Sequence, residues 1–333
     1  MRIAVIGAGA LGGTFATLLS QAGHEVTVTA RGDGLAAIRE RGIRLAGGFG
    51  QATAHPTAVE RLVETPELAL VCTKAQDAEA AIGDNAAMLD GATVIVIQNG
   101  LDGVDTARRL LPLSDCFGAL SIIAANYTEP GLVTVTTAAP TYLGRGTGPA
   151  EADTRRWQSV LSAAVPTQSI DNFVGAQWTK LVVNMLNALP AITGLSVQAV
   201  VADRRLRRLM TLSMRETVRV GMRRGIRFGS LQALGNRRLR LFSLLPAWAG
   251  QVLPLMMRAR MGSVPNLGST LQSVTRGQRT EVDYLNGAVV REAVGAGVGA
   301  PVNIRLTALV HEVEQRGSFL SSADVIERFS RSR

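Results

Sequence analysis

The sequence is poor in cysteine, histidine, aromatic residues and lysine, and these shortages exclude several classes of protein. Two cysteines, Cys72 and Cys116, are too few for a disulfide framework, so a reducing, cytoplasmic setting is expected. The three histidines, His24, His55 and His311, form no cluster with cysteine at metal-ligand spacing, and no metal site is predicted. No uncharged apolar run reaches about 18 residues, which argues against an integral membrane segment.

The length and composition predict two folded domains. The chain has 333 residues, of which 47% are hydrophobic and 18% charged, so it can form substantial cores and is not expected to be disordered. The apolar N-terminus resembles a signal sequence only briefly, because its glycines suit a phosphate-binding loop and no cleavage-type segment follows.

Positive charge is concentrated in one part of the chain. The net charge is +9, yet residues 201–262 hold 14 arginines against only Asp203 and Glu216, so the rest is slightly acidic. A basic block can bind nucleic acid, a membrane surface or an anionic ligand. Because aromatic residues do not interleave with the arginines and no nucleic-acid-binding motif is present, we expect no nucleic-acid partner and interpret the block as a solvated helical face.

Residues 241–257 form the longest uncharged stretch. Pro246, Gly250 and Pro254 interrupt it, and arginines flank it on both sides. We interpret it as a buried helical hairpin or an oligomer interface, such as that of a homodimer. An interfacial contact with a membrane is the alternative.

Lysine is almost absent among the basic residues. Lys74 and Lys180 are the only lysines beside 33 arginines. Arginine keeps its proton near neutral pH, whereas burial can lower the pKa of a lysine until it serves as a general acid. Because no histidine is predicted at the carboxyl end of a strand, lysine is the remaining candidate proton donor. The alternative is that both lysines lie on the surface and have no role in the reaction.

The order of predicted elements indicates an α/β protein. Strands are expected at residues 2–6, 25–30, 68–73, 93–97 and 116–125, alternating with helices, and residues 132–137 and 141–144 are expected to form an antiparallel appendage. This pattern predicts a Rossmann-type, doubly wound parallel sheet over residues 1–170. Amphipathic helices follow, so residues 171–333 are predicted to form an all-helical domain.

A glycine-rich segment follows the first strand and opens a helix: Gly7, Ala8, Gly9, Ala10, Leu11 and Gly12. The first glycine permits a tight turn, the second lets a pyrophosphate approach the backbone, and the third lets the helix pack on the strand. The segment predicts dinucleotide binding. At the end of the second strand, Arg31 favours NADP over NAD, while Asp33 would read the ribose if that strand were two residues longer.

Two further strands end in polar residues. Lys74 and Asn99 lie at the carboxyl ends of neighbouring predicted strands, where doubly wound sheets bind their ligands. Taken alone, Lys74 would be an exposed charge at the end of a strand, and Asn99 with Gly100 would be an ordinary Asn-Gly turn. Together they favour a ligand site.

Three polar residues share one face of an otherwise apolar helix in the second domain. At 100° per residue, Lys180, Asn184 and Asn187 fall within about 60° of one another. On a buried helix such groups line a cleft or bond to other helices, and both interpretations stay open. Farther on, Thr280 and Asp283 resemble a capping box, which would make Glu281 a first-turn carboxylate or a ligand contact.

The motifs GAGALG, VCTK, QNG, WTKLVVN and STLQS…TEVDYLNG, in that order, resemble the ketopantoate reductase family over nearly the whole chain. The resemblance implies a Rossmann domain, an all-helical domain, and NADPH-dependent reduction of 2-dehydropantoate to pantoate, a step toward pantothenate and coenzyme A. It also implies a 2-oxo acid bound between the two domains. The alternatives are a reductase of another 2-oxo acid or imine, and a dinucleotide-binding module without catalysis.

The resemblance also implies roles for individual residues. Lys180 is similar to the family's proton donor, Asn184 and Ser269 to substrate-binding positions, and Asn99 to a residue touching both nicotinamide and substrate. Cofactor contacts are implied for Lys74, Ala124, Glu281 and, near the 2′-phosphate, Arg31. The chain departs from the family twice. Ala188 replaces a second substrate-binding asparagine, which Asn187 could substitute only if the helix shifts locally, and an arginine-rich insert lies near residues 225–262.

Overall fold

The computed structural model describes residues 1–262 and 264–330. The chain divides into two compact units, Met1–Val174 and Gly175–Arg333. A parallel sheet dominates the first unit and helices the second, so the predicted fold class is confirmed. Within the described ranges, no helix has both the length and the apolar character required to cross a bilayer.

The first unit contains twelve strands and six complete helices. The strands are β1 (Arg2–Ile6), β2 (Glu25–Thr29), β3 (Ile43–Gly47), β4 (Ala52–Ala54), β5 (Thr57–Val59), β6 (Leu68–Val71), β7 (Thr93–Ile97), β8 (Asp115–Ser121), β9 (Ala124–Glu129), β10 (Leu132–Thr137), β11 (Thr141–Gly144) and β12 (Thr167–Ser169). The helices are α1 (Ala10–Gln21), α2 (Gly32–Arg41), α3 (Ala75–Gly83), α4 (Ala86–Leu89), α5 (Gly103–Leu110) and α6 (Ala152–Ser162).

The main sheet has eight strands in the order β12-β11-β8-β7-β6-β1-β2-β5. The six strands from β8 to β5 are parallel, and β11 pairs with β8 in the antiparallel direction. Along the chain, successive strands are added first on one side of β1 and then on the other. The strand order therefore reverses between β1 and β6, which is where doubly wound sheets open a crevice for ligands.

A second sheet, in the order β4-β3-β10-β9, corrects the predicted appendage. Residues 116–125 do not form one strand: β8 ends at Ser121 in the main sheet and β9 begins at Ala124 in the second. Strand β10 pairs with β9 and with β3, whereas β11 extends the main sheet. Helix α1 packs on strands of both sheets, and its residues from Gly12 to Leu19 are buried because both of its sides are covered.

The second unit is helical. Helix α7 (Phe173–Asn184) begins at the boundary between the units, and the remaining elements are α8 (Ala188–Thr193), α9 (Val197–Ala202), α10 (Arg204–Arg223), α11 (Asn236–Leu244), α12 (Ala247–Gly250), α13 (Val252–Ala259), α14 (Gly268–Thr275), a 3₁₀ turn (Val282–Tyr284), α15 (Asn286–Gly295), α16 (Pro301–Arg316) and α17 (Ser322–Ser330). Helix α10 is central: Asp203 caps its N-terminus, and seven other helices of the described chain pack on it, namely α9, α11, α12, α13, α15, α16 and α17.

A buried polar network joins α10, α15 and α16. Asn286 Nδ2 donates to Asn303 Oδ1 at 2.8 Å, and Ser213 Oγ donates to the same oxygen at 2.8 Å. Asn303 Nδ2 donates to Glu216 Oε2 at 2.8 Å, while the Glu216 carboxylate also accepts two backbone N–H groups at the start of α16. Since each of these buried groups has a partner, the network fixes how the three helices pack.

The uncharged stretch at residues 241–257 is not the buried hairpin that its composition predicts. It forms the end of α11, then α12 and α13, and these short helices bury only one side each. Leu253 and Phe242 are buried, whereas Leu244 and Trp248 are exposed. The predicted hairpin is wrong because three short helices that pack on α10 leave their opposite sides uncovered, while the alternative of an oligomer interface stays a prediction.

Candidate active site

The glycine-rich loop between β1 and α1 has two glycines that the fold requires. Gly7 has φ +94°, and a Cβ atom there would lie 2.7 Å from Thr73 Cγ2. A Cβ atom on Gly12 would lie 2.0 Å from the Gly7 carbonyl oxygen. Both positions therefore exclude a side chain, the first through its left-handed conformation and the second through the close contact between helix and loop.

Gly9 differs from its neighbours because nothing in the fold requires it. It has φ −79°, and a Cβ atom there would meet no atom within 4 Å. It is the N-cap of α1, and no side chain caps the helix there. The loop thus combines an open backbone with a helix N-terminus, and these are the features that fit the pyrophosphate of a dinucleotide. Ala10 and Leu11 form the first turn, and Ala8 N donates to Thr29 O at 3.0 Å.

Lys74 and Asn99 follow the adjacent parallel strands β6 and β7. Lys74 is the N-cap of α3, and Asn99 precedes Gly100, which has φ +88°. Gln98 joins the two loops, because its Nε2 donates to Thr73 O at 2.9 Å and to Thr73 Oγ1 at 3.2 Å. Gln98 was missed from the sequence, although it stands beside Asn99 in the same motif.

Ala124 lies at the same edge of the main sheet. It is exposed and comes three residues after the end of β8, a strand parallel to β7. Its carbonyl oxygen accepts a hydrogen bond from Thr136 Oγ1 at 3.1 Å. With the glycine loop, Lys74 and Asn99, it belongs to the residues that follow the carboxyl ends of β1, β6, β7 and β8.

Arg31 lies in a cluster of charges beyond the end of β2. Its Nη2 is 2.6 Å from Asp84 Oδ2, and Arg61 Nη2 is 3.1 Å from Asp84 Oδ1. Both arginine side chains are about two-thirds exposed, at 68% and 67%. Two guanidinium groups share one carboxylate, so the cluster keeps a net positive charge and can accept another anion.

The ends of β2 and β5 determine which residues belong to this cluster. Strand β2 ends at Thr29, so the condition under which Asp33 would read a ribose is not met; Asp33 lies in the first turn of α2. Arg61 was missed because the short strand β5, which pairs with β2 and brings Arg61 to the same edge, has no recognisable pattern.

In the second unit, Lys180 lies on α7 among buried residues. It is partly exposed, while Thr179 and Leu181 beside it are buried. Burial lowers the pKa of the Lys180 ammonium to about 8, and the negative charge of Glu281 opposes that shift. A lysine of this kind exchanges its proton near neutral pH, as a general acid must.

Helix α7 ends sooner than its sequence predicts. It was expected to continue through Asn187, but it stops at Asn184. The next turn is tightened: Met185, Leu186 and Asn187 each donate their N–H to the carbonyl three residues earlier, at 3.3, 3.1 and 3.0 Å. Residues three apart eclipse one another in such a 3₁₀ turn, so Asn187 still falls below Asn184 on the same face.

The amide groups on this face differ in their surroundings. Asn184 Nδ2 is buried and has no hydrogen-bond partner in the described part of the chain. Asn187 lies against the start of α14, because a Cβ atom on Gly268 would be 2.6 Å from Asn187 Oδ1. Ser269, the next residue, is exposed. A buried donor without an acceptor is costly, so the Asn184 amide is suited to an acceptor on a ligand.

Glu281 lies just before the 3₁₀ turn of residues 282–284. The predicted capping box does not form: Thr280 Oγ1 accepts from Val282 N at 3.3 Å, and Asp283 Oδ1 bonds to His311 Nε2 at 2.9 Å. The turn is short, so Asp283 points to α16 instead of back to Thr280. Glu281 is partly buried, and its charge favours the protonated form of Lys180.

Two family models match the chain and together cover most of it. The model described as "Ketopantoate reductase PanE/ApbA" matches residues 3–148, and the one described as "Ketopantoate reductase PanE/ApbA C terminal" matches residues 172–314. The chain belongs to the ketopantoate reductase family. The resemblance carried by its motifs is thereby confirmed, and the family is one of oxidoreductases.

Individual relatives support the same conclusion over the full length. The 2-dehydropantoate 2-reductase of Halobacterium salinarum is 30% identical over 329 residues, which cover 95% of this chain and 100% of that protein. A PanE/ApbA family ketopantoate reductase from Ralstonia eutropha JMP134 has a TM-score of 0.82 at 29% identity, covering 95% and 99% of the two chains. A D-mandelate dehydrogenase, solved with NADH and anilino(oxo)acetate, has a TM-score of 0.81 at 21% identity over 95% and 99%, and shares the fold.

In this ketopantoate reductase family member, Ala188 stands where the motif resemblance implies a second substrate-binding asparagine. Ala188 is the first residue of α8 and only 1% exposed, so it cannot contact a ligand. The tightened turn before it instead brings Asn187 onto the face of Lys180 and Asn184. Asn286 Nδ2 supports that turn from below by donating to Met185 Sδ at 3.4 Å.

Proposed function

We propose that this ketopantoate reductase family member reduces 2-dehydropantoate to pantoate with NADPH, and that Lys180 donates the proton. The observation that carries this is the pairing of a lysine with a lowered pKa and a buried amide donor without a partner on one helix face. A non-catalytic dinucleotide-binding module would need neither group. We assign NADP binding to residues 1–170 and substrate binding to residues 171–333.

NADPH, when bound, supplies the hydride that reduces the carbonyl carbon. The protein's own groups do the rest. Lys180 Nζ holds the proton that passes to the ketone oxygen as negative charge develops there, and the positive charge of the ammonium stabilises that developing charge. Asn184, Asn187 and Ser269 orient the substrate through neutral hydrogen bonds, so they add no charge that would compete with Lys180. Asn99 is the contact we assign to both nicotinamide and substrate.

The proposed cofactor contacts lie in the first unit. The loop of residues 7–12 fits the pyrophosphate, and Lys74 and Ala124 follow strands at the same edge of the sheet. Glu281 is the proposed contact from the second unit. Arg31 and Arg61 are suited to the 2′-phosphate that distinguishes NADP from NAD, because together they carry more positive charge than Asp84 neutralises.

The choice of cofactor can be tested at Arg31. In the Arg31→Ala variant the KM for NADPH should rise about 10- to 100-fold, as expected for one lost charge-assisted hydrogen bond, while the KM for NADH changes less than about twofold. Arg41→Ala is the control, since that arginine is similarly exposed at the other end of α2. Equal losses with NADPH and NADH would remove the 2′-phosphate from the role of Arg31.

The electrostatic role of Glu281 can be tested through the pH profile. Removing its charge in Glu281→Gln takes away the interaction that raises the pKa of Lys180, so the high-pH decline of kcat/KM should move to lower pH. At pH 8 the rate should fall roughly twofold to fivefold from this shift. Asp283→Asn is the control, because that carboxylate bonds to His311. A decline at unchanged or higher pH in Glu281→Gln would contradict the assignment.

A second candidate substrate is another 2-oxo acid. The buried Ala188 and the displaced Asn187 favour it, since they change the hydrogen bonds available to the part of the substrate away from the ketone. NADPH oxidation with 2-dehydropantoate and a panel of aliphatic and aromatic 2-oxo acids decides between the two. If 2-dehydropantoate has the highest kcat/KM, the reaction belongs to the route to pantothenate and coenzyme A, in the cytoplasm, where free thiols such as Cys72 and Cys116 persist.

A further inference from the structure

Three short helices of the second unit expose an apolar patch. It consists of Leu241 and Leu244 on α11, Trp248 on α12, and Val252, Leu255 and Met256 on α13. Trp248 and Leu244 are the most exposed of these, at 76% and 75%. Single exposed apolar side chains are ordinary, but six within sixteen consecutive residues, one of them a tryptophan, mark a surface that binds something.

Helices α11, α12 and α13 form a layer on α10, and the patch is the side of this layer that faces away from α10. Helices α11, α12 and α13 each pack on α10, burying Leu239 and Phe242 on the first and Leu253 on the third. The exposed apolar residues of α11 and of α13 recur three or four positions apart, as Leu241 and Leu244 do. Each of α11 and α13 is therefore apolar on its outer side as well as on its inner side, which the fold alone does not require.

Positive charge flanks the patch along the chain. Exposed arginines precede it and follow it: Arg237, Arg238, Arg240, Arg258 and Arg260. No acidic residue occurs in the sequence between Glu216 and Glu281. Beneath the layer, the buried Arg215 donates to Ser243 O, and its Nε has no hydrogen-bond partner in the described structure. The whole layer is thus cationic and is complementary to an anionic surface.

We propose that this patch docks on the surface of an anionic lipid bilayer. Trp248 and the leucines would enter the boundary between headgroups and acyl chains, and the arginines would bind headgroup phosphates. A second copy of the chain, packed face to face, would place arginines against arginines. A nucleic acid would meet the arginines but leave the central apolar side chains without a partner. The apolar side chains and the arginines that flank them therefore match the two layers of an anionic bilayer surface, its acyl chains and its headgroups.

Vesicle binding tests the proposal directly, and Trp248 is a built-in probe. The other two tryptophans, Trp157 and Trp178, are buried at 5% and 3% exposure, so acrylamide quenching reports on Trp248. With vesicles of phosphatidylcholine containing about 30 mol % phosphatidylserine, the full chain should float with the lipid, its emission should shift to the blue, and quenching should fall. Binding should be at least about tenfold weaker to phosphatidylcholine alone, and should weaken in high salt.

Variants separate the patch from the rest of the surface. Leu244→Ser with Trp248→Ser should abolish flotation, and Arg237→Gln with Arg240→Gln and Arg258→Gln should remove the preference for anionic vesicles. Val294→Ser, a change at a similarly exposed apolar residue on α15, is the control and should float like the wild type. Circular dichroism and thermal melts confirm that each variant is folded. These readouts do not depend on reductase activity.

Several outcomes would overturn the proposal. They are failure of the wild type to float with anionic vesicles, equal flotation of Leu244→Ser/Trp248→Ser, and equal binding to anionic and neutral vesicles. A fourth is a dimer in light scattering that the patch variant dissociates, without any vesicle binding; that result would make the patch a contact between two copies of the chain.

Discussion

In the Lys180→Ala variant, kcat for reduction of a 2-oxo acid is expected to fall about 10²- to 10⁴-fold, while the dissociation constant for NADPH stays within about twofold. The loss is large because the variant removes both the proton and the only ammonium that we assign to the developing alkoxide. Cofactor affinity is expected to persist because the glycine loop and the Arg31–Arg61 cluster lie in the other unit. Steady-state kinetics and a fluorescence titration of NADPH measure the two quantities separately.

The pH profile distinguishes a proton donor from a structural residue. The pKa of Lys180 is lowered to about 8, so the protonated form predominates below that pH and is lost above it. Reduction by the wild type should therefore decline above about pH 8 in kcat/KM, and this decline should be absent in Lys180→Ala. Lys74→Ala supplies the matched control, since it removes the only other lysine and should keep the decline. An unchanged kcat, or the same decline in Lys180→Ala, would refute the assignment.

Local features could be predicted from the sequence because they depend on neighbours in the chain. The glycine loop required only a strand before it and a helix after it, and the positive φ of Gly7 and the packing of Gly12 agree with the roles inferred for them. The six parallel strands were largely predictable too, because buried strands are apolar throughout. Only β5 escaped notice, and Arg61 with it, since three residues carry no periodicity.

Features set by distant contacts could not be predicted. No glycine or proline marks the end of α7 in the segment LVVNMLN, so the end of the helix at Asn184 has no signal in the local sequence. In the structure, Asn286 donates to Met185 from more than a hundred residues away, and Asn187 lies against Gly268. Likewise β3 and β10, which pair in parallel, are far apart in sequence, so the second sheet could not be inferred from either strand alone.

The exposed side of α11–α13 could not be predicted from amino-acid composition, because composition does not say which apolar side chains are buried. Residues 241–257 have the apolar content of a buried hairpin, yet only two of their ten large hydrophobic side chains, Phe242 and Leu253, are buried. In the part of the chain that the structure describes, α11, α12 and α13 pack on α10 and leave their outer sides uncovered, and only the three-dimensional arrangement shows which side chains are exposed.

Two alanine substitutions in the glycine loop should separate stability from cofactor binding: Gly12→Ala should lower stability, and Gly9→Ala should weaken binding. Gly12→Ala is expected to destabilise the first unit by about 3 kcal/mol or more, because its Cβ atom would lie 2.0 Å from the Gly7 carbonyl oxygen and 3.1 Å from Cys72 Cβ. Both contacts involve atoms fixed by the sheet, so relief requires moving the helix. Thermal denaturation should show a Tm lower by roughly 6–12 °C.

Gly9→Ala provides the contrast, because its Cβ atom would meet no protein atom within 4 Å and its φ of −79° suits any residue. The Tm should therefore stay within about 2 °C of the wild type, while the dissociation constant for NADPH rises about tenfold or more, since the added methyl group would occupy the space through which a pyrophosphate approaches the helix N-terminus. A Gly9→Ala protein that binds NADPH normally would show that the dinucleotide does not lie on this loop. A Gly12→Ala protein as stable as the wild type would show that the contact between α1 and the loop is looser than the structure describes. The two glycines can be tested separately because the Gly9 variant reports on binding and the Gly12 variant on packing.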